Sequence, residues 1–199
     1  MKPPPVLPHA SVLGTERKAH YPVTHTQIKT FTASSGVQQV SIDDGFLGPI
    51  PERILIVVVK NTAFVGSAST NAFHFDYTTN LVLYVNGVQH PSKPLTMDCS
   101  SPFRANRAHE TLFSSSDIHH DDLAHMITLE MFNKGYYILG FDRTPDKEVG
   151  RSAYKPARHR NVRIDARFKK HLPEPVTSIS YAEIPGHVEI DNSRNVRVE

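Results

Sequence analysis

The sequence has one cysteine, no tryptophan and no long apolar run, and each of these shortages excludes a class of protein. Because Cys99 is the only thiol, no disulfide can form within the chain, which fits a reducing compartment. The longest apolar run, from Ile54 to Val59, is too short to span a bilayer. The residues after Met1 lack the apolar segment of a secretory signal. We therefore expect an intracellular protein that is neither secreted nor embedded in a membrane.

Signatures of catalysis and phosphate binding are also missing, and the charge is almost balanced. The chain has twenty-two basic and twenty acidic residues, which gives a formal net charge of +2. No global electrostatic field therefore directs it to nucleic acid or to anionic lipid. No Gly-x-Ser-x-Gly elbow and no Gly-x-x-x-x-Gly-Lys loop occurs. These absences favour a protein that is not an enzyme and needs no cofactor.

What the chain does contain is a succession of short strand patterns separated by turn residues. The "NVRIDARF" segment alternates cleanly, with Val162, Ile164, Ala166 and Phe168 predicted inside and the charged residues outside. Asn86-Gly87 after "NLVLYV" predicts a hairpin turn, and "ASSG" is a second plausible hairpin connection. Further strands are expected in "TQIKTFT", "VQQVSI", "RILIVVVK", "YYILGFD", "VTSISYAEI" and, as a short last strand, "HVEI".

Two segments in the middle of the chain have helical character, and the N-terminus has neither pattern. "FRANRAHETLF" and "LAHMITLEMFNKG" contain helix formers, and the second ends at a glycine. Residues 1–20 are rich in proline and predict an extended arm or linker, with a single domain over residues 21–199. The predicted fold is all-β: a single eight-stranded jelly-roll sandwich with short helices inserted in mid-chain loops.

Several long blocks of the sequence, in order, resemble one known family. They are "GFLGPIPERILIVVVKNTAFVGSASTNAFHFDYTTNLVLYVNGVQHPSKPL", "RANRAHETLFSSSDIH", "MFNKGYYILGFDRTPD", "NVRIDARF" and "VEIDNSRNV". Together they resemble the C-terminal jelly roll of the double jelly-roll major capsid protein of Polinton (Maverick) elements and adintoviruses. That family is distantly akin to the adenovirus hexon. The resemblance extends over most of the chain, from about Tyr21 to Val196.

The resemblance implies a structural role rather than a catalytic one. It implies self-assembly with other capsid subunits into a trimeric capsomer, contacts with minor capsid proteins, packaged DNA against one face, and a place in the virion. Proteins of this family join two jelly rolls in one chain, whereas the 199 residues here have room for one. We therefore expect the ordinary capsomer to require a first roll from another source. Pro91 and Pro94 are expected to end a strand, because proline has no N–H to donate.

Two groups of residues have the composition of a metal site. In "SDIHHDDLAHM", Asp121 and His125 are four residues apart, and His120 precedes them, which gives a conceivable zinc site. In "FHFDY", His74 and Asp76 have the His-x-Asp spacing found in non-haem Fe(II) oxygenases, some of which use a jelly-roll-like barrel. The interpretation we favour is a solvated loop for the first group and an aromatic-rich packing segment for the second, hence no metal.

Other functions remain open as alternatives to assembly. An oxygenase acting through His74 and Asp76 is one, and a glycan- or ligand-binding jelly roll is another, although the absence of tryptophan weakens the latter. Separately, a basic segment contains Arg158, Arg160, Arg163 and Arg167. Such a stripe can neutralise DNA phosphates or contact a neighbouring subunit, but it is also typical of an ordinary solvated strand and loop.

Overall fold

The computed structural model describes residues 18–67, 78–97, 105–116, 126–143, 161–191 and 193–198. Within these ranges there are nine strands and three short helices. The strands are β1 (Ala19–Ala33), β2 (Gln39–Phe46), β3 (Arg53–Lys60), β4 (Thr78–Val85), β5 (Val88–Thr96), β6 (Leu139–Asp142), β7 (Val162–Phe168), β8 (Val176–Ile190) and β9 (Val196–Val198). The helices are α1 (Asn61–Phe64), α2 (Asn106–Ser115) and α3 (Leu129–Asn133).

The strands form two antiparallel sheets. Sheet I has the order β1-β8-β3-β6, with β9 paired to the end of β8, and sheet II has the order β2-β7-β4-β5. From β1 to β4 and again from β5 to β8, each strand lies in the opposite sheet from the one before it. This arrangement of eight antiparallel strands in two sheets is a jelly roll, which confirms the predicted all-β fold. Strand β9 is a short addition to it.

The core lies between the two sheets, where alternate residues of the central strands β3 and β7 are buried. In β3, Ile54 and Ile56 are almost completely buried, and they face Leu81 and Leu83 of β4 within the same apolar cluster. Burial of an aliphatic side chain contributes about 1.5–3 kcal/mol, so these alternating positions decide which face of each strand points inward. In β7, all four residues predicted to be inside are buried: Val162, Ile164, Ala166 and Phe168.

The Asn86-Gly87 turn joins β4 to β5 as predicted. Asn86 has a φ of 50° and Gly87 a φ of 75°, so both central residues adopt the left-handed conformation that a tight two-residue hairpin requires. The turn also contacts the start of β7, because the side-chain oxygen of Asn86 accepts a hydrogen bond from the backbone N–H of Asn161.

The "ASSG" segment does not form the expected hairpin. Strand β1 pairs with β8 in sheet I, whereas β2 pairs with β7 in sheet II, so the segment carries the chain from one sheet to the other. The crossing is held by Gly36, whose N–H donates to the carbonyl of Leu172 at 2.8 Å. Leu172 lies in the β7–β8 connection, which makes the same passage between sheets in the opposite direction.

Two other local predictions were wrong, and a third is correct only in part. Pro91 and Pro94 do not end the strand, since β5 extends over both, but its pairing with β4 is interrupted there: His90 is paired with Leu83, and the next pair is Leu95 with Leu81. Proline, which has no N–H to donate, is tolerated at such an irregularity and on an edge strand. "VTSISYAEI" and "HVEI" belong to one 15-residue strand, β8. The second predicted helix is reduced to α3, which begins after Thr128, whose Oγ1 accepts a hydrogen bond from the N–H of Met131.

Candidate functional site: the open side and two surface clusters

One side of the sandwich is closed by helix α2. The helix contacts β6 of sheet I and β5 of sheet II, which are the edge strands on that side. The approach to β6 is very close at Gly140, where a Cβ atom would lie 1.6 Å from the Oγ of Ser115 and 3.0 Å from the carbonyl oxygen of Thr111. Only a residue without a side chain fits there, so Gly140 allows the helix to seal this side.

The opposite side, which we call the open side, is bounded by the edge strands β1 and β2. Within the described residues, β1 pairs with β8 alone and β2 with β7 alone, so each has one free edge. A cleft of about 520 Å³ lies between them. Its lining is mainly apolar and includes Phe31, Ala33, Val40, Ile42, Val58 and Phe168. On the outer face of the same edge strand, directly across from Tyr181 of β8, Ile28 of β1 is 65% exposed.

A lysine at this side limits the ways in which another chain can pair with it. The Nζ of Lys29 in β1 lies 5.3 Å from the centre of the Phe46 ring, a residue of the core. An inward-pointing charge on an edge strand is a common device against edge-to-edge pairing of sheets. We therefore expect contacts at the open side to be made by side chains rather than by the addition of a strand.

The first of the two surface clusters surrounds Arg163 on the outer face of sheet II. The Arg163 guanidinium lies over the Tyr84 ring, 4.4 Å from its centre, and its Nη2 donates to Asp165 at 3.1 Å. Asp43 lies 3.9 Å from its Nε, and Ser41 donates a hydrogen bond to Asp165 at 2.7 Å. Two carboxylates thus balance the charge of this arginine in the folded chain.

The other arginines of the predicted basic segment are arranged differently. Arg167 is exposed in β7, across from Gln39 of β2. Arg158 and Arg160 lie outside the described residues. The structure therefore brings Arg163 and Arg167 onto one strand face, as the alternation predicted, and it shows carboxylate partners for Arg163.

The second surface cluster lies where β1 begins and β8 ends, and the sequence interpretation did not find it. His20 of β1 is directly opposite Glu189 of β8, and His187 is two residues before Glu189 on the same face. The Oε1 of Glu189 lies 3.3 Å from the Nδ1 of His20 and 3.5 Å from the Nε2 of His187. The other carboxylate oxygen, Oε2, accepts a hydrogen bond from Lys18 at 2.9 Å, which lowers the pKa of Glu189.

A signal for part of this cluster was present in the sequence. The His-x-Glu spacing in "HVEI" puts His187 and Glu189 on one face of a strand, just as "FHFDY" does for the pair that was considered. The third member, His20, is far away along the chain. Its position depends on the β1–β8 register, which cannot be deduced from the two segments separately.

Further along β8, towards its middle, a partly buried hydrogen-bond network surrounds Tyr181. The Tyr181 hydroxyl donates to the Oε1 of Glu183 at 2.9 Å, and Arg53 of β3 forms an ion pair with Glu183 at 3.5 Å. Burial, followed by the bond to Glu183, raises the pKa of Tyr181. This network joins β8 to β3 on the outer face of sheet I, opposite to the core residue Ala182.

The metal candidates taken from the sequence lie outside the described residues. They are His74, Asp76, His120, Asp121 and His125, and Cys99 is also among the residues that are not described. Both metal hypotheses therefore remain predictions. No helix in the described part of the chain is long and apolar enough to cross a membrane.

Known proteins that are similar to the chain include one curated protein and viral capsid proteins of solved structure, while no family model matches the chain. The uncharacterized protein F54H12.2 of Caenorhabditis elegans is 25% identical over 187 residues, which are 90% of this chain and 43% of that protein. The mavirus major capsid protein aligns with 92% of this chain at a TM-score of 0.45 and 10% identity. A capsid structure of the virus PBCV-1 also aligns with 92%, at a TM-score of 0.48 and 8% identity. The chain spans 41% of the mavirus protein and 52% of the PBCV-1 protein.

Proposed function

We propose that this chain is a structural jelly-roll domain of the viral capsid type, which acts by self-assembly and performs no catalysis. Copies of it, or it and other capsid subunits, build a trimeric capsomer, and capsomers tile the shell of a virion. The observation that carries the proposal is the strand order, β1-β8-β3-β6 against β2-β7-β4-β5. Jelly rolls of this kind serve in viral capsids, in lectins and in cupins, so the choice among these classes needs a second argument.

That second argument is the position of the sequence blocks that resemble the Polinton-type capsid proteins. "LYVNG" is the end of β4 with its turn, "NVRIDARF" is β7, and "VEIDNSRNV" leads from β8 into β9. In the last block, Asp191 accepts hydrogen bonds from the N–H and the side-chain amide of Asn195, both at 2.8 Å. The shared residues therefore specify strands and turns, which is what a building block needs to conserve its shape.

The open side supplies a surface for assembly. An apolar cleft between two free strand edges is a liability in an isolated domain, whereas in a capsomer a neighbouring subunit covers it. Lys29 opposes continuous sheet formation, which leaves side-chain packing onto β1 and β2 as the mode of contact. Head-to-tail contacts of this kind close into a ring when the rotation between subunits allows it, as in a trimer.

For the basic segment of Arg158, Arg160, Arg163 and Arg167, we propose a subunit contact in preference to DNA binding. The guanidinium of Arg163 already pairs with the carboxylates of Asp165 and Asp43, which balance its positive charge. It is therefore poorly placed to neutralise a DNA phosphate. A segment that alternates between acids and bases favours complementary pairing with a neighbouring protein surface. Packaged DNA and minor capsid proteins are further partners in this proposal.

Sedimentation velocity over a range of concentrations tests the proposal. We expect the chain to associate reversibly, and Ile28→Lys on β1 to shift association to at least about tenfold higher concentration, which corresponds to about 1.4 kcal/mol. Val88→Lys is the matched control, because Val88 is 60% exposed on β5, at the other side of the sandwich. Circular dichroism verifies that both variants fold. A chain that stays monomeric throughout, or that loses association with Val88→Lys and not with Ile28→Lys, contradicts the proposal.

A further inference from the structure

We propose that His20, His187 and Glu189 form a binding site for a divalent transition-metal ion, with zinc as the ion that fits best. The site would join the first residues of β1 to the last residues of β8, at one end of sheet I. It is separate from both metal hypotheses derived from the sequence, and it does not depend on the proposed capsid function.

The distances between the ligand atoms support the site. Zinc bonds to nitrogen and oxygen at about 2.0–2.2 Å, so neighbouring ligand atoms of a tetrahedral site stand roughly 3.3–3.5 Å apart. The Glu189 Oε1 lies 3.3 Å from the His20 Nδ1 and 3.5 Å from the His187 Nε2. One ligand atom of each residue lies within 4.8 Å of those of the other two. These separations match three corners of a tetrahedron for the two contacts to Glu189, and the two imidazole nitrogens are within 4.8 Å of each other.

The chemistry of the three side chains is also that of a zinc site. Two imidazole nitrogens and one carboxylate oxygen are a donor set that zinc uses, with the fourth position taken by water or another ligand. Lys18 binds the Oε2 of Glu189, which leaves Oε1 for the ion and fixes the orientation of the carboxylate. The side chains of His187 and Glu189 are only 20% and 14% exposed, so they are held in place, whereas His20 is 45% exposed.

Positive charge around the cluster sets a limit on affinity. Lys18 lies against Glu189, and Arg197 of β9 is directly across from Glu189 on the other side of β8. Both cations oppose the binding of a third positive group, while the Glu189 carboxylate favours it. We therefore expect one ion per chain with a modest affinity, and an increase in thermal stability when zinc is present, because the ion binds the folded state with its paired strands.

The test uses the purified full chain after chelator treatment, with zinc chloride as the only added ligand, at neutral pH. Isothermal titration and equilibrium dialysis with metal analysis measure stoichiometry and affinity, and a thermal melt with and without zinc gives an independent readout. We expect His187→Ala and Glu189→Gln each to weaken zinc binding at least about tenfold and to abolish the thermal shift. His25→Ala is the matched control, because alternation puts His25 on the opposite face of β1, and it should bind zinc as the unmodified chain does.

A second pair of variants separates this site from the histidine-rich segment further along the chain. His120→Ala and His125→Ala should leave the affinity and the thermal shift unchanged. The proposal is overturned if zinc binding survives in His187→Ala and Glu189→Gln, if it disappears in the His120→Ala and His125→Ala variants instead, or if the unmodified chain binds no zinc. Zinc-free melts of all variants show that each one is folded before zinc is added.

Discussion

Substitution of Gly140 by alanine should destabilise the protein strongly, because helix α2 leaves no room for a methyl group on β6. The new Cβ would lie 1.6 Å from the Oγ and 2.5 Å from the Cβ of Ser115, and Ser115 is completely buried. Overpacking of a filled interior typically costs about 1–3 kcal/mol, and contacts this short put Gly140→Ala at about 3 kcal/mol. For a chain of this size, that loss corresponds to a decrease in Tm of roughly 6–12 °C.

Thermal and urea unfolding followed by circular dichroism measure the effect. Gly45→Ala is the matched control, since the nearest atom to its added Cβ is the Val162 carbonyl oxygen at 3.2 Å, and its Tm should fall much less. Ser115→Gly removes the clashing atoms, so the double variant Gly140→Ala/Ser115→Gly should regain part of the lost stability, and a double-mutant cycle gives the coupling. If Gly140→Ala unfolds at the same temperature as the unmodified chain, the close packing of α2 against β6 is wrong.

Three further predictions concern the network on β8, the hairpin turn and the core. The pKa of Tyr181 is raised in the folded chain, so its contribution to stability is complete below the ordinary pKa of about 10 and is lost as the pH rises through the higher folded-state pKa. A pH titration of the folded protein, followed by tyrosinate absorbance at about 295 nm, should show one tyrosine that ionises late. That late step should be missing from Tyr181→Phe. Gly87→Ala should cost about 1–2 kcal/mol in urea unfolding, because φ is 75° there; an unchanged midpoint contradicts the turn. Ile164→Ala should cost about 2–5 kcal/mol in the same assay, and a smaller loss contradicts its place in the core.

The parts of the fold that follow from local patterns could be predicted from the sequence. The alternation in β7 identified its inward residues, because burial on one face imposes a period of two. The hairpin turn could be predicted from Asn86-Gly87, because few residue pairs adopt positive φ at both central positions of a turn. The choice of an all-β jelly roll followed from the spacing of such patterns together with the family resemblance.

The parts that depend on distant pairing could not be predicted. Nothing within "ASSG" distinguishes a hairpin from a passage between sheets, since the difference lies in the partners β8 and β7. The prolines of β5 are compatible with a strand because β5 is at an edge, which is a property of the whole sheet. The cluster of His20, His187 and Glu189 also depends on distant pairing, because its members come together only through the β1–β8 register. It could therefore not be predicted from the sequence.

Electron microscopy of the purified chain tests the central claim, that this domain functions by assembly, most directly. We expect uniform particles with threefold symmetry, of the size of three or more jelly rolls, in which the open side of each subunit faces its neighbour. Particles of single domains at every concentration, with no ring or larger array, would contradict the account.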